Sequence, residues 1–157
     1  ERVRTRQLVA RLALDAHERI IRIMGAAIET RVAALADARA ALDLCQHEGS
    51  ETLLPLSVIA SLKGDAKLRL IEALVMAAGG GETLPRREAL ERLAGRLAET
   101  GGMSGGMTLA GAWVRRKGLS IGFSPAPARR GADEPAPPAW DRAHAMLADP
   151  VAAALYQ

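Results

Sequence analysis

Apolar residues return with a helical period along most of this chain and alternate in only one stretch. Arg2 to Leu14 predicts a short basic helix with Leu8 and Leu12 inward. Asp15-Ala16-His17-Glu18 then has the form of a capping box and predicts a new start. The helix that follows carries Ile21, Met24, Ile28, Val32, Leu35 and Leu42 on one stripe and should stop before Gly49-Ser50. Unbroken, it spans on the order of 45 Å, against a radius of gyration near roughly 15 Å for a compact domain of this size. Either it kinks at Gly25 or the body is elongated, and elongation is the favoured reading. A helix this long and this apolar is also capable of pairing with a copy of itself.

Pro55 to Leu62 predicts a short helix or turn, closed by Gly64, with Asp65 capping the next helix. That helix holds Leu68, Ile71, Leu74 and Val75 and ends at Gly79-Gly80-Gly81. Thr83 and Pro85 announce another, with Leu90, Leu93, Ala94 and Leu97 inward. Glu88 and Arg92, and Arg96 and Glu99, are spaced as helical neighbours. Arg86 and Arg87 fall in the first turn, where the helix dipole disfavours cations. A broken local rule of this kind points toward function.

Gly101 to Gly106 reads as a loop, and Thr108 to Ser124 alternates as a β-hairpin. With Arg116-Lys117-Gly118 as a three-residue turn, Arg115 pairs with Leu119 and Trp113 faces Ile121. Leu109, Leu119 and Phe123 then share the docked face, and Arg115, Arg116 and Lys117 stand at the tip. Pro125 to Ala139 is a Pro/Ala-rich linker, and Trp140 to Gln157 a last short helix interrupted at Pro150. The expected fold is therefore mainly α, one long helix with a small β-hairpin near 108–124 and an extended tail. Its units are a helical domain over 1–124 and a tail over 125–157.

Composition narrows the class. Among 157 residues 49% are apolar but only 3% aromatic, so alanine and leucine must fill the core. The net charge of +3 permits a polyanionic partner without requiring one. A single cysteine, Cys45, excludes an internal disulfide and favours a reducing, cytoplasmic setting. No run of about 18 apolar residues offers a membrane span. The chain opens at Glu1-Arg2-Val3-Arg4, as a fragment or a processed product would.

Candidate chemistry is sparse. Ser104-Gly105-Gly106 has the composition of a phosphate-cradling loop, but such a loop needs a strand before it and a helix after, and here the order is reversed. Cys45 and His47 are two ligands, too few for zinc, and His17 and His144 are isolated. No metal site and no catalytic residue is assigned. The cations remain: Arg2, Arg4 and Arg6 at the start, Arg86 and Arg87 opening a helix, Arg115, Arg116 and Lys117 on the hairpin. Such groups on a fixed scaffold neutralise phosphates. With few aromatics free to stack bases, duplex or stem contact is favoured over single strands.

The order of these pieces resembles the tRNA(Ile)-lysidine synthetase family. Arg2-Val3-Arg4-Thr5-Arg6 is similar to the junction after that family's catalytic domain, and the Ala-rich helix through Leu35, Ala36 and Ala40-Ala41-Leu42 to the helix that follows it. LRLIEALVMAAGGGETLPRREALERL resembles the middle domain, and Thr108-Leu109-Ala110-Gly111-Ala112-Trp113-Val114-Arg115-Arg116 the TLGGC-x-(I/V)-x-R strand. The likeness covers roughly Arg2 to Phe123. Ala110 stands where a glycine is usual, Ala112 where a cysteine is frequent, and the Arg-Glu that often follows the hairpin is missing. The resemblance implies a ligase that adenylates the wobble cytidine of isoleucine tRNA (CAU anticodon) with ATP and magnesium, then joins lysine to it. The ATP loop, Ser-Gly-Gly-x-Asp-Ser, is absent from this sequence. The chain would thus be the substrate-binding region, inactive by itself, with ATP and magnesium belonging to the catalytic domain. The rival expectation is a helical interaction or dimerisation module without an RNA role.

Overall fold

The computed structural model describes residues 2–99, 103, 105–127 and 138–148, with side chains from residue 11 onward. Helix α1 (Arg2–Leu42) leads into a hairpin of β1 (Gln46–Glu48) and β2 (Glu51–Pro55). Three helices follow, α2 (Leu56–Ser61), α3 (Gly64–Gly79) and α4 (Arg87–Ala98). Then come β3 (Met107–Leu109), β4 (Ala112–Lys117), β5 (Ser120–Pro125) and α5 (Trp140–Ala148). The strands form one antiparallel sheet in the order β1-β2-β5-β4-β3. The fold is mixed, with a five-stranded sheet beside the helices, where a single hairpin was expected.

Helix α3 is the centre. Leu70, Ile71, Ala73, Leu74, Val75, Met76, Ala77 and Ala78 are all buried, because α1, α4, α5 and the sheet surround it. A helix enclosed this way is apolar nearly all round. It ends where Gly80 turns left-handed (φ 65°) and donates its N–H to the Met76 carbonyl. Lys63, rather than Asp65, is its N-cap. Asp65 lies in the first turn, where a carboxylate complements the dipole. Helix α5 joins the same core through Ala143 and Leu147. The Ala139 N–H reaches the Ala77 carbonyl (3.0 Å), and Arg142 donates to the Gly81 carbonyl (2.6 Å).

Three expectations change. The break at Asp15 is absent, and α1 runs 41 residues, roughly 60 Å. Asp15 to Glu18 sits inside a run of helix formers, and Gly25, with open space around it, is an interruption of about 1 kcal/mol that the run tolerates. Second, Gln46 to Pro55 is a hairpin turning at Gly49-Ser50, Gly49 at φ 59°. Third, the β4–β5 turn is two residues, Gly118-Leu119, with Lys117 opposite Ser120. An odd shift of register exchanges the faces. Ala112, Val114, Ile121 and Phe123 face the core, Trp113 is half-buried opposite Ser124, and Leu119 is 83% exposed. The small face turns inward because α3 arrives there. A Cβ on Gly79 would fall on the Ala110 carbonyl and 2.9 Å from the Ala112 nitrogen.

Candidate nucleic-acid interface

The expected cations occupy three separate places. Arg2, Arg4 and Arg6 lie in the first turns of α1, backbone only being described. The first described buried side chain of that helix is Ala34, so this end stands about 40 Å along the axis from the body.

Arg86 and Arg87 open α4. Arg86 is its exposed N-cap, and its carbonyl accepts from the Ala89 and Leu90 N–H groups. Arg87 resolves the conflict with the helix dipole through carboxylates. Its Nε donates to Glu91 at 2.8 Å, and its Nη1 lies 3.9 Å from Asp65 on α3. Glu91, four residues on, is the partner here. Arg69 extends the network to Asp65 and Glu72. Burial raises the Glu72 carboxyl above its ordinary value, Arg69 opposing and Asp65 adding to the rise.

Arg115, Arg116 and Lys117 descend one strand and so alternate in direction. Arg115 and Lys117 stand on the outer face and converge on Glu51 of β2, at 3.3 and 2.6 Å. Glu51 keeps only 8% of its surface and lies over Gly122, where a Cβ would come 3.0 Å from its Cδ. Burial by itself would raise its carboxyl. The hydrogen bonds and charges of Lys117 and Arg115 outweigh that and hold it below the ordinary value. Arg116 points to the other side. Its Nε donates to the Gly118 carbonyl (3.3 Å), and it borders a groove of about 370 Å³. Leu56, Ile59 and Leu97 floor that groove, and Lys67 and Glu99 stand with Arg116 on its rim.

The structure therefore brings Arg115 and Lys117 together, sets Arg116 behind them, and holds Arg86 and Arg87 at the opposite end of α4 from the groove. Glu51 and Lys67 were missed in the sequence. Glu51 was concealed by the unseen β2, although Gly49-Ser50 followed by Thr52-Leu53-Leu54 is a turn and then a short β-prone run.

The other candidates stay structural. The Cys45 thiol is pushed up to about 12, by burial first and the Asp43 charge second, so it is no nucleophile at neutral pH. His47 Nδ1 and Thr52 Oγ1 share a 2.7 Å hydrogen bond, and the His47 ring lies 5.5 Å from Trp140. His17 is exposed on α1, and His144 Nδ1 is 3.9 Å from Asp43. Among the described residues no three His, Cys, Asp or Glu side chains could hold a metal. Ser104 lies outside the described residues. Gly106 (φ 69°) is pressed against the Trp113 ring, so this end of the glycine loop is packed rather than open. Among the described residues no helix is long and apolar enough to cross a membrane. Comparison with family models, with curated proteins and with solved structures found no match.

Proposed function

We propose that this chain binds a structured RNA, isoleucine tRNA with a CAU anticodon, as the substrate-holding region of a tRNA(Ile)-lysidine synthetase. Adenylation and lysine transfer belong to a catalytic domain that supplies ATP and magnesium. The observation that carries the reading is the β3–β4 turn. Ala110 (φ 46°) and Gly111 (φ 81°) are both left-handed. A glycine pair, which the family's strand motif has at these two positions, suits that backbone best. The departure at Ala110 thus falls on a position whose conformation explains the usual glycine. Further support comes from the cations. Arg86 and Arg116 have no carboxylate partner among the described residues, and Glu51 steadies Arg115 and Lys117 without burying them.

Fluorescence anisotropy with the isoleucine tRNA tests this. Binding should weaken with salt, and replacing Arg86 and Arg116 with alanine should lower the log–log slope by roughly 0.7–0.9 per lost phosphate contact. A folded sample that fails to bind at low salt removes the reading. A second reading is pairing of two copies through α1, favoured by the exposed apolar side chains of that helix.

A further inference from the structure

The register of β4 moves Trp113 from the docked face that the sequence predicts to the outer face of the sheet, away from α3. There it shares a cross-strand row with Thr108 of β3 and Ser124 of β5. Arg115, opposite Gly122, and Lys117, opposite Ser120, follow on the same face of the same strand. A Cβ placed on Gly106 would lie 2.5 Å from Trp113 Cζ2 and 2.9 Å from both Cε2 and Cη2. Near-equal distances to three successive ring carbons belong to a point above the ring. Beside the edge, the two flanking carbons would be much farther away than the middle one. Gly106 therefore covers one face of the indole, and a residue with a side chain could not come so close. Trp113 as a whole is only half-buried. Its neighbours on this face are low: Gly122 has no side chain, and Thr108 and Ser124 are short. Their two hydroxyls make no hydrogen bond to a described residue.

We propose, building on the RNA reading above, that this outer face holds an unpaired stretch of the RNA. One base stacks on the side of the Trp113 ring away from Gly106, and Arg115 and Lys117 meet phosphates farther along β4. Three observations favour this occupant. A base is flat, and a ring held rigid from behind is the surface on which it stacks. In a duplex the base faces are already covered by their neighbours, so only an unpaired base can use such a ring. Charge points the same way. Arg115 and Lys117 share the single carboxylate of Glu51, which leaves the patch positive, and their side chains stay 48% and 36% exposed. Arg115 reaches Glu51 through Nε, so its two terminal nitrogens remain for a phosphate. Last, the low row of Thr108, Ser124 and Gly122 leaves room for a base, with hydroxyls at hand for its edge or its ribose. Scarce aromatics favoured stems over loops in the sequence; the strand register puts one aromatic where a loop can reach it.

The chain has two tryptophans, and the indole N–H of Trp140 is buried without a partner. Trp140→Phe therefore breaks no hydrogen bond to a described residue and leaves Trp113 as the single tryptophan. In that background a short unpaired oligoribonucleotide should quench the emission as it binds. A blunt RNA duplex of the same length should not. Trp113→Phe should keep most of the affinity for the oligoribonucleotide. Trp113→Leu still fills the space over Gly106 and should lose about fivefold or more in Kd. Arg115→Gln should lower the log–log salt slope by about 0.7 and leave the quench at saturation unchanged. Circular dichroism shows that each variant is folded, and the quench itself needs no change at Trp113. Saturable binding of the oligoribonucleotide without quenching overturns the stacking proposal. So does a Trp113→Leu variant that binds as well as wild type. Anisotropy with isoleucine tRNA separates the two readings: binding without quenching leaves RNA binding standing and removes the stacking face, and no binding of either RNA removes both.

Discussion

The sheet has two tight turns that join neighbouring strands of the same three-stranded run, and they live in opposite surroundings. Ala110-Gly111, between β3 and β4, lies against Gly79 at the end of α3. Gly118-Leu119, between β4 and β5, stands in solvent, with Leu119 83% exposed and nothing within 4 Å of a Cβ on Gly118. Both need left-handed backbone. At the first, conformation and packing constrain the residue together. At the second, conformation acts alone. Turn chemistry in a sequence thus reports the backbone, while the neighbour that makes a position intolerant comes from elsewhere in the chain.

The sharpest way to break this contrast is Gly79→Ala. Its methyl would collide with backbone, which cannot swing aside, and overpacking of this kind costs more than the gain in helix propensity. A net loss of about 2 kcal/mol is expected in urea unfolding, and a neutral result would mean that α3 and the turn do not touch. Glu51→Gln should cost about 1 kcal/mol, a charge-assisted network reduced by the exposure of Arg115 and Lys117. Because the folded Glu51 carboxyl is depressed from 4.5, its contribution is complete above about that pH and is lost as pH falls through the folded value. Wild type should therefore lose stability on acidification more steeply than Glu51→Gln, and parallel profiles would remove Glu51 from the account. Ala110→Gly should stabilise by about 0.5–1 kcal/mol, as the left-handed cost outweighs the entropy of glycine. Leu119→Ser should stay within about 0.5 kcal/mol, as an isolated surface change does.

The helical part of the fold could be read from the sequence because its signals are local. The α3 stripe, its glycine stop and the Thr83-Pro85 entry to α4 depend on residues within a few turns. The sheet could not. Strand β1 is three residues long, and β2 pairs with β5 across some 70 residues, Thr52 opposite Phe123. The β4–β5 register depended on which face α3 needed small, and no alternation within Thr108–Ser124 states that. The cations were visible as residues but not as a group. Whether Arg115 and Lys117 act together is decided by Glu51, which belongs to a strand the pattern did not reveal. Leu12, which the sequence places inward, is 60% exposed for a related reason: periodicity marks an apolar face and is silent on what covers it.

Helix α5 has a consequence for the order in which the chain can mature. Helix α3 is closed on one side by Ala143 and Leu147, which leave the ribosome some 70 residues after its own centre. Until they arrive, the most apolar helix of the protein has an open flank. A nascent chain halted after β5 would hold the sheet and four helices yet still present a sticky surface, and it would be a natural client for chaperones.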